Sequence, residues 1–293
     1  MPMNRSFTII PLLLLCSVIA LAQEQMDTIK ASKVTSDLMR TISFSQTGHE
    51  RMESLRFEVA PVLGSPDIIR TLQGLPGVAM GNEMSSGLYV RGGDGSDNLY
   101  MFDGAPVWQT AHMGGMFSVV NSDILDNVDV YKSGFPSRFG GKISSVEDIS
   151  VKVGDFDQKH VKYSIGLTDG RITLDGPFKN KKTSYLVSLR QNWMSLFTKP
   201  AFKAAGNLFP DRMTNYLSDG WYGFTEIDGK ISKRLSGTSS LEFSLLANVD
   251  FIKYSDHYGG DETSWSDHGL NLSSNWGNIV AVAAWKTKPA DIS

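Results

Sequence analysis

The chain has 293 residues, 41% hydrophobic and 20% charged, the balance of a folded protein rather than a disordered one. Its net charge of −3 leaves no basic footprint for a nucleic-acid partner. The single cysteine, Cys16, excludes disulfides and cysteine metal sites, while 28 glycines and 10% aromatic residues point towards β-structure with many turns.

The N-terminal "MPMNRSFTIIPLLLLCSVIALAQ" pairs a short positive region at Arg5 with an apolar run over 7–21. Ala20-Leu21-Ala22 fits the small-residue cleavage rule, so a signal peptide cleaved near Ala22 is expected. A membrane-spanning helix needs about 20 apolar residues. Here Pro11 interrupts a shorter run. Lipid attachment at Cys16 is not expected, because Leu15 stands where a small residue is wanted. Cleavage also removes Arg5, which takes the net charge from −3 to −4.

Residues 23–60 show no sustained period and read as a lead-in, with a short β-prone island in "MDTIKASKV". "GSPDIIRTLQGLPGV" (64–78) predicts a short helix. Ser65 suits the N-cap, Pro66 the first turn and Asp67 the positive end of the dipole. Ile68, Ile69 and Leu72 share a face, Gly74 suits a left-handed end, and Pro76 blocks continuation. Two β-like runs, "GLYVRG" and "NLYMFDG", then flank "GDGSD". A second short helix is expected from Asn121, and "VDVYKSG" (128–134) reads as a strand. Residues 64–145 therefore form a small α/β unit.

After residue 145 apolar and polar residues alternate. Val161, Tyr163, Ile165 and Leu167 oppose Lys162, Ser164 and Thr168; Leu241, Phe243, Leu245, Ala247, Val249 and Phe251 oppose Glu242, Ser244, Asn248 and Asp250. Six strands are expected, beginning at 146–153 and counting 161–175 as one. The connections at 176–183 and 235–239 are short and those at 198–220 and 255–273 long, which is the turn parity of a transmembrane barrel. A soluble β-sandwich also alternates, but the run 241–254 is long for a sandwich strand.

"GGDGSDN" lacks the Gly-Lys-Ser/Thr of a phosphate loop, the bidentate Glu of a calcium loop and the long helix of a dinucleotide site. Its glycines and aspartates suit turns, and a ligand is not required of them. No catalytic set emerges. The five histidines lack zinc-protease spacing and "G-x-S-x-G" is absent. Glu147 and Asp148 point to opposite faces of a strand, which argues against a hydrolase pair.

"LPGVAMGNEMSSGLYVRGGDGSDNLYMFDGAPV" followed by "VNSDILDNVDVYKSGFPSRFGGKISSVEDISVKVG" resembles the plug domain of TonB-dependent outer-membrane receptors, most closely the SusC-like and siderophore-receptor-like kinds. The resemblance covers about 60–290. It implies an α+β plug followed by antiparallel transmembrane β-barrel strands, about six of an expected 22. The implied parts are a signal peptide (1–22), a lead-in (23–60), a plug (61–145) and barrel strands (146–293). The implied function is import of a ferric siderophore, cobalamin or a glycan. The implied partners are the TonB–ExbB–ExbD complex, outer-membrane lipid and, in glycan importers, a SusD-like surface lipoprotein. No cofactor or metal is implied.

The resemblance also assigns residues. Asp27, Thr28, Ile29 and Lys30 are the weak match to a TonB box, and Arg91 matches the plug arginine that pairs with barrel acids. Outer loops 198–220 and 255–273 are ligand candidates; in the second, "SDHYGGDETSWSDHG", these are His257, Tyr258, Trp265 and His268. That loop also reads as a metal site, a sugar-stacking rim or a plain solvated acidic loop. Glu147 stands where an apolar residue is expected. Six strands cannot close a barrel, because open edges leave backbone groups unpaired in lipid. The expectation is therefore a truncated or partial receptor, with an exported soluble binding or adhesion module as the alternative.

Overall fold

The computed structural model describes residues 42–46, 48–54, 61–62, 65–81, 87–112, 115–197, 200, 221–258 and 268–287, and the compact unit considered below is 43–293. Its strands are β1 (Ile42–Gln46), β2 (His49–Glu53), β3 (Pro61–Val62), β4 (Ser65–Pro66), β5 (Val78–Met80), β6 (Leu88–Val90), β7 (Asn98–Phe102), β8 (Ala105–Pro106), β9 (Ala111–His112), β10 (Phe117–Ser118), β11 (Leu125–Tyr131) and β12 (Ser145–Val151). Then follow β13 (His160–Ile165), β14 (Asp169–Pro177), β15 (Thr183–Asn192), β16 (Trp221–Arg234), β17 (Ser239–Tyr258) and β18 (His268–Thr287).

The first large sheet runs β1-β2-β11-β12-β7-β8. β12 lies antiparallel to β11 and parallel to β7, with Ser145 opposite Asn98 and Ile149 opposite Phe102. The second sheet runs β13 to β18 in sequence order, every pair antiparallel.

The predicted helix is present as Ile68–Gln73, with Ile68, Ile69 and Leu72 buried. Its N-cap is Asp67 rather than Ser65: Asp67 Oδ1 accepts from the Arg70 amide at 3.1 Å. Ser65-Pro66 instead pairs with Pro61-Val62 as a two-residue strand. A carboxylate one turn below the amide outcompetes a hydroxyl two residues further back. Gly74 closes the helix in a right-handed conformation (φ −79°), and the left-handed residue is Gly77 (φ 79°). The turn expected at Asn121 is a 3-10 turn, Ser122–Ile124, capped by the Asn121 side chain.

The runs flanking "GDGSD" do not form a hairpin. β6 pairs with β5, while β7 pairs with β8 and β12. Between them Arg91 (φ 50°) and Gly92 (φ 84°) turn the chain, and a 3-10 turn at Gly95–Asp97 follows. Asp94 caps this turn through the Ser96 amide, while the Asp97 side chain accepts from the Asp94 amide. Both aspartates serve the backbone, as turn chemistry predicts.

Two strand expectations need correction. Residues 146–153, expected to open the barrel, belong to the first sheet as β12. Residues 161–175, expected as one strand, are β13 and β14 joined by a turn at 166–168. Alternation persists across that tight turn, so the sequence pattern hides it. The count of six and the parity survive because the two errors compensate. The turns 178–182 and 235–238 lie at one end of the sheet, and the turn 166–168 with the strand ends Asn192, Trp221, Tyr258 and His268 at the other. The loop expected at 255–273 also shrinks to 259–267, because Tyr258 pairs with His268 and Asp256 with Leu270.

The second sheet is inverted relative to a soluble protein. Val161, Ile172, Leu189, Ile231, Phe243, Val249 and Trp285 are exposed on one face. Asp169, Arg190, Glu226, Asp228, Lys230 and Asp250 are buried on the other. A sandwich would place the apolar face inside. Apolar-out and polar-in is the pattern of a membrane barrel wall. β13 and β18 end the sheet and do not pair with each other, so it stays open. Leu186 and Leu246, with the partly buried Val280, join the core built by Ile68, Leu72, Val90, Phe102, Val128 and Ile149.

Candidate functional site at the interface of the first domain and the wall

Inward-facing residues alternate along each wall strand, so charged side chains two apart stand one above another. They meet the N-terminal domain in three places.

The outer cluster centres on Arg190 of β15. Its Nε donates to Asp169 Oδ2 at 2.5 Å, and its Nη1 donates to Glu226 Oε2 at 3.2 Å and to the Ser118 carbonyl at 3.1 Å. The guanidinium lies over Phe224 and Phe117, 5.0 and 5.7 Å from the ring centroids. Ser65 Oγ donates to Asp169 at 3.0 Å, and the Ser118 amide donates to Asp67 Oδ2 at 2.6 Å. Asp67 thus caps its helix with one oxygen and holds β10 with the other. Burial pushes its carboxyl above the usual range, with the Ser118 and Arg70 amides opposing.

His112 of β9 completes this cluster. The ring is fully buried and stacked on Phe224 with centroids 3.8 Å apart. Nδ1 lies 2.7 Å from Asp250 Oδ2, and Nε2 lies 3.3 Å from Glu226 Oε1 without good hydrogen-bond geometry. Tyr222 donates its hydroxyl to the other Asp250 oxygen.

The inner cluster centres on Asp103, in the turn between β7 and β8. Its Oδ2 accepts from Lys230 Nζ at 2.9 Å and from Ser244 Oγ at 2.5 Å, while Oδ1 accepts from the Val151 amide at 3.0 Å. Lys230 also reaches the Val151 carbonyl and Glu242. Between the clusters, Asn278 and the Gln109 backbone exchange two hydrogen bonds, at 3.2 and 2.8 Å. At the flank, Arg171 donates to Ser122 Oγ at 2.9 Å, and Asn121 donates to Ser188 Oγ at 2.8 Å. Lys162 reaches Asp123 at 2.8 Å.

Glu147 lies inside the first sheet, fully buried. Ser145 Oγ donates to its Oε1 at 2.5 Å, while Oε2 has no partner. Burial raises its carboxyl to about 8, and so it is mostly uncharged at neutral pH. An uncharged acid explains how it occupies a position where an apolar residue was expected.

The sequence-assigned residues are spread out. Arg91 is exposed at its turn and makes no ion pair among the described residues; the lysines and arginines that join the two parts, Lys162, Arg171, Arg190 and Lys230, come from the wall. Asp27, Thr28, Ile29, Lys30 and Trp265 lie outside the described residues, as does most of 198–220. Of His257, Tyr258 and His268 only the backbone is placed: Tyr258 faces His268, and His257 faces Gly269. Sequence reasoning missed Asp67, Asp103, His112, Arg190 and Lys230 as contacts. The polar phase of β15 and β16 marked Arg190 and Lys230 as inward, but nothing local named their partners.

The model of the TonB-dependent Receptor Plug Domain family matches residues 52–146. Three solved structures share the fold at low sequence identity. The ferric yersiniabactin uptake receptor FyuA of Yersinia pestis aligns with 86% of this chain and 39% of its own, at 12% identity and a TM-score of 0.51. The receptor FpvA of Pseudomonas aeruginosa, bound to a heterologous pyoverdine with iron, aligns with 80% and 31%, at 14% identity and 0.50. The copper transporter OprC aligns with 85% and 44%, at 12% identity and 0.50. No curated protein matches the sequence. The chain spans 32% to 43% of the length of the first three solved structures matched. Residues 52–146 thus match a TonB-dependent receptor plug domain, and they are seated on the polar face of β13–β18, an open antiparallel sheet with the apolar-out pattern of a barrel wall.

Proposed function

We propose that the chain forms the plug and opening wall strands of an energy-coupled importer, exported to the outer membrane after cleavage near Ala22. The observation that carries this reading is the plug's polar seating. Charged contacts at the outer and inner ends of β14–β17 hold it against the lumen face while the opposite face is apolar. Such contacts are strong enough to block a pore at rest and discrete enough to be broken one element at a time.

The geometry suggests the order. Among the described residues β2 pairs with β1 and β11, and it is held by the buried Lys132–Glu50 ion pair and by His49–Asp129 at 2.9 Å. None of these touches the wall clusters. A pull on residues 27–30 by the TonB–ExbB–ExbD complex then peels β1 and β2 first, leaving Arg190 and Lys230 engaged. Arg91 is proposed as a contact to a wall strand other than β13–β18. The loops holding His257, Tyr258, Trp265 and His268 are proposed to meet the ligand. The cargo is a large scarce nutrient, a ferric siderophore, cobalamin or a glycan, the last with a SusD-like surface lipoprotein as partner.

Two experiments test this. Cell fractionation should recover the protein in the outer membrane; a stable periplasmic monomer overturns the reading in favour of a soluble binding module. Uptake of radiolabelled ferric siderophore, cobalamin and oligosaccharide by cells carrying the whole receptor should show one cargo. Deleting 27–30 should abolish its uptake but not its binding.

A further inference from the structure

The ring of His112 faces carboxylates from two wall strands, Asp250 on β17 and Glu226 on β16. A carboxylate only accepts hydrogen bonds, so each imidazole nitrogen that faces one needs a proton. A neutral ring would turn a lone pair towards one of two buried acids. The cationic ring donates to Asp250 and sets its charge 3.3 Å from Glu226 as an ion pair, and stacking on Phe224 fixes its plane.

The surroundings reinforce the charge. Asp250 takes its second contact from the Tyr222 hydroxyl, and Glu226 takes its second from Arg190. Arg190 is already shared with Asp169. Asp228, the next inward residue on β16, has no hydrogen-bond partner for either oxygen among the described residues, and Asp67 lies behind Ser118. Two cations therefore face five acidic groups. Burial works against the imidazolium, but the two carboxylates outweigh it and lift the group above its ordinary value.

We propose that His112 is a protonation-controlled latch, which clamps the β9–β10 segment of the plug to β16 and β17 as the imidazolium and releases it when the proton leaves. The proposal rests on the seating of the plug against the wall, not on the cargo. Because the folded form holds the proton more tightly, the latch contributes fully below the unfolded value of about 6.5. It weakens as pH rises through the higher folded value. An importer so built grips its plug harder in mildly acidic surroundings.

The test uses the receptor in outer-membrane vesicles with a spin label at Trp108→Cys, an exposed site on the same plug segment. The urea midpoint for mobilising the label should fall between about pH 6 and pH 9 in the parent protein. His112→Phe keeps the stacked ring and removes the charge. Its midpoint should lie below the parent's at pH 6 and fall less steeply with pH, the remaining slope being that of other groups such as Glu147. An unchanged pH slope in His112→Phe overturns the latch. Histidine 15N spectra of the detergent-solubilised parent give a second readout independent of any variant. A neutral-ring signature for His112 at pH 6 likewise overturns it, whether or not import is observed.

Discussion

Lys230 of β16 and Asp103 of the plug turn meet at 2.9 Å, with both side chains almost fully shielded from solvent. The turn that carries Asp103 is left-handed at that residue (φ 47°), a conformation that Asn and Asp tolerate better than other side chains. One residue thus sets a turn and anchors the plug. Its neighbours in the clusters divide the work differently: Asp67 caps a helix and holds β10, and Arg190 joins two acids to a carbonyl.

Asp103→Asn separates the two roles. Asn keeps the left-handed turn and an acceptor for the Val151 amide, but its NH2 replaces the oxygen that accepts from Lys230 and Ser244. Lys230 retains Glu242 at 3.0 Å, so the cost should be about 1–3 kcal/mol, below that of stripping a buried charge bare. A double-mutant cycle with Lys230→Met, read by urea release of the plug, should give a coupling above about 0.5 kcal/mol. Strict additivity would show that the contact does not hold the plug.

Glu147→Gln should remove a pH dependence of plug stability. The folded carboxyl sits at about 8 against an ordinary 4.5. Its contribution is therefore complete below about 4.5 and is lost as pH rises to about 8. Gln fills the same space, keeps an acceptor for Ser145 and never ionises. Thermal melts of the parent should fall across that window while those of Glu147→Gln stay flatter. Parallel curves would place the pH dependence elsewhere.

Gly154→Ala tests the passage from plug to wall. A Cβ there would stand 2.1 Å from the Tyr185 carbonyl oxygen, a backbone atom that cannot swing aside. The linker must move off β15 or the strand must bend, and folded yield in detergent should fall several-fold. Val153→Ala, next door at a half-exposed position, is the control and should fold normally.

Ile279→Arg tests the outward face. Ile279 is 84% exposed near the middle of β18. In a lipid-facing position arginine costs about 2–4 kcal/mol near the midplane. On a water-facing surface the same change stays within about 0.5 kcal/mol. Urea unfolding from lipid vesicles distinguishes the two, and a null effect would sink the membrane assignment of this face.

Much of the fold was legible because it follows from local periods. Leu241 to Phe251 alternate except at Leu246, which turns inward to the core, and the structure faces the apolar phase outward as a barrel wall does. Ile68, Ile69 and Leu72 share one helical face and are buried together. Where competing local signals were close, the reading slipped. Ser65 and Asp67 both suited the cap, and the acid won. The turn at 166–168 left alternation intact and was read as continuous strand.

β12 shows the sharper limit. Ile149 and Val151 alternate like a wall strand, and nothing in the residues themselves assigns them to one sheet rather than another. Only pairing with β7 and β11 puts β12 in the plug. The interface shares that limit. Asp103 and Lys230 lie 127 positions apart, and His112 and Asp250 138, so no local pattern joins them. By itself, the sequence determined which faces are apolar, where turns fall at one end or the other, and that the glycines and aspartates near residue 95 serve the backbone. Tertiary structure alone decided which sheet each strand enters and which charges meet, because buried charges take their partners from whatever the folded chain brings within reach.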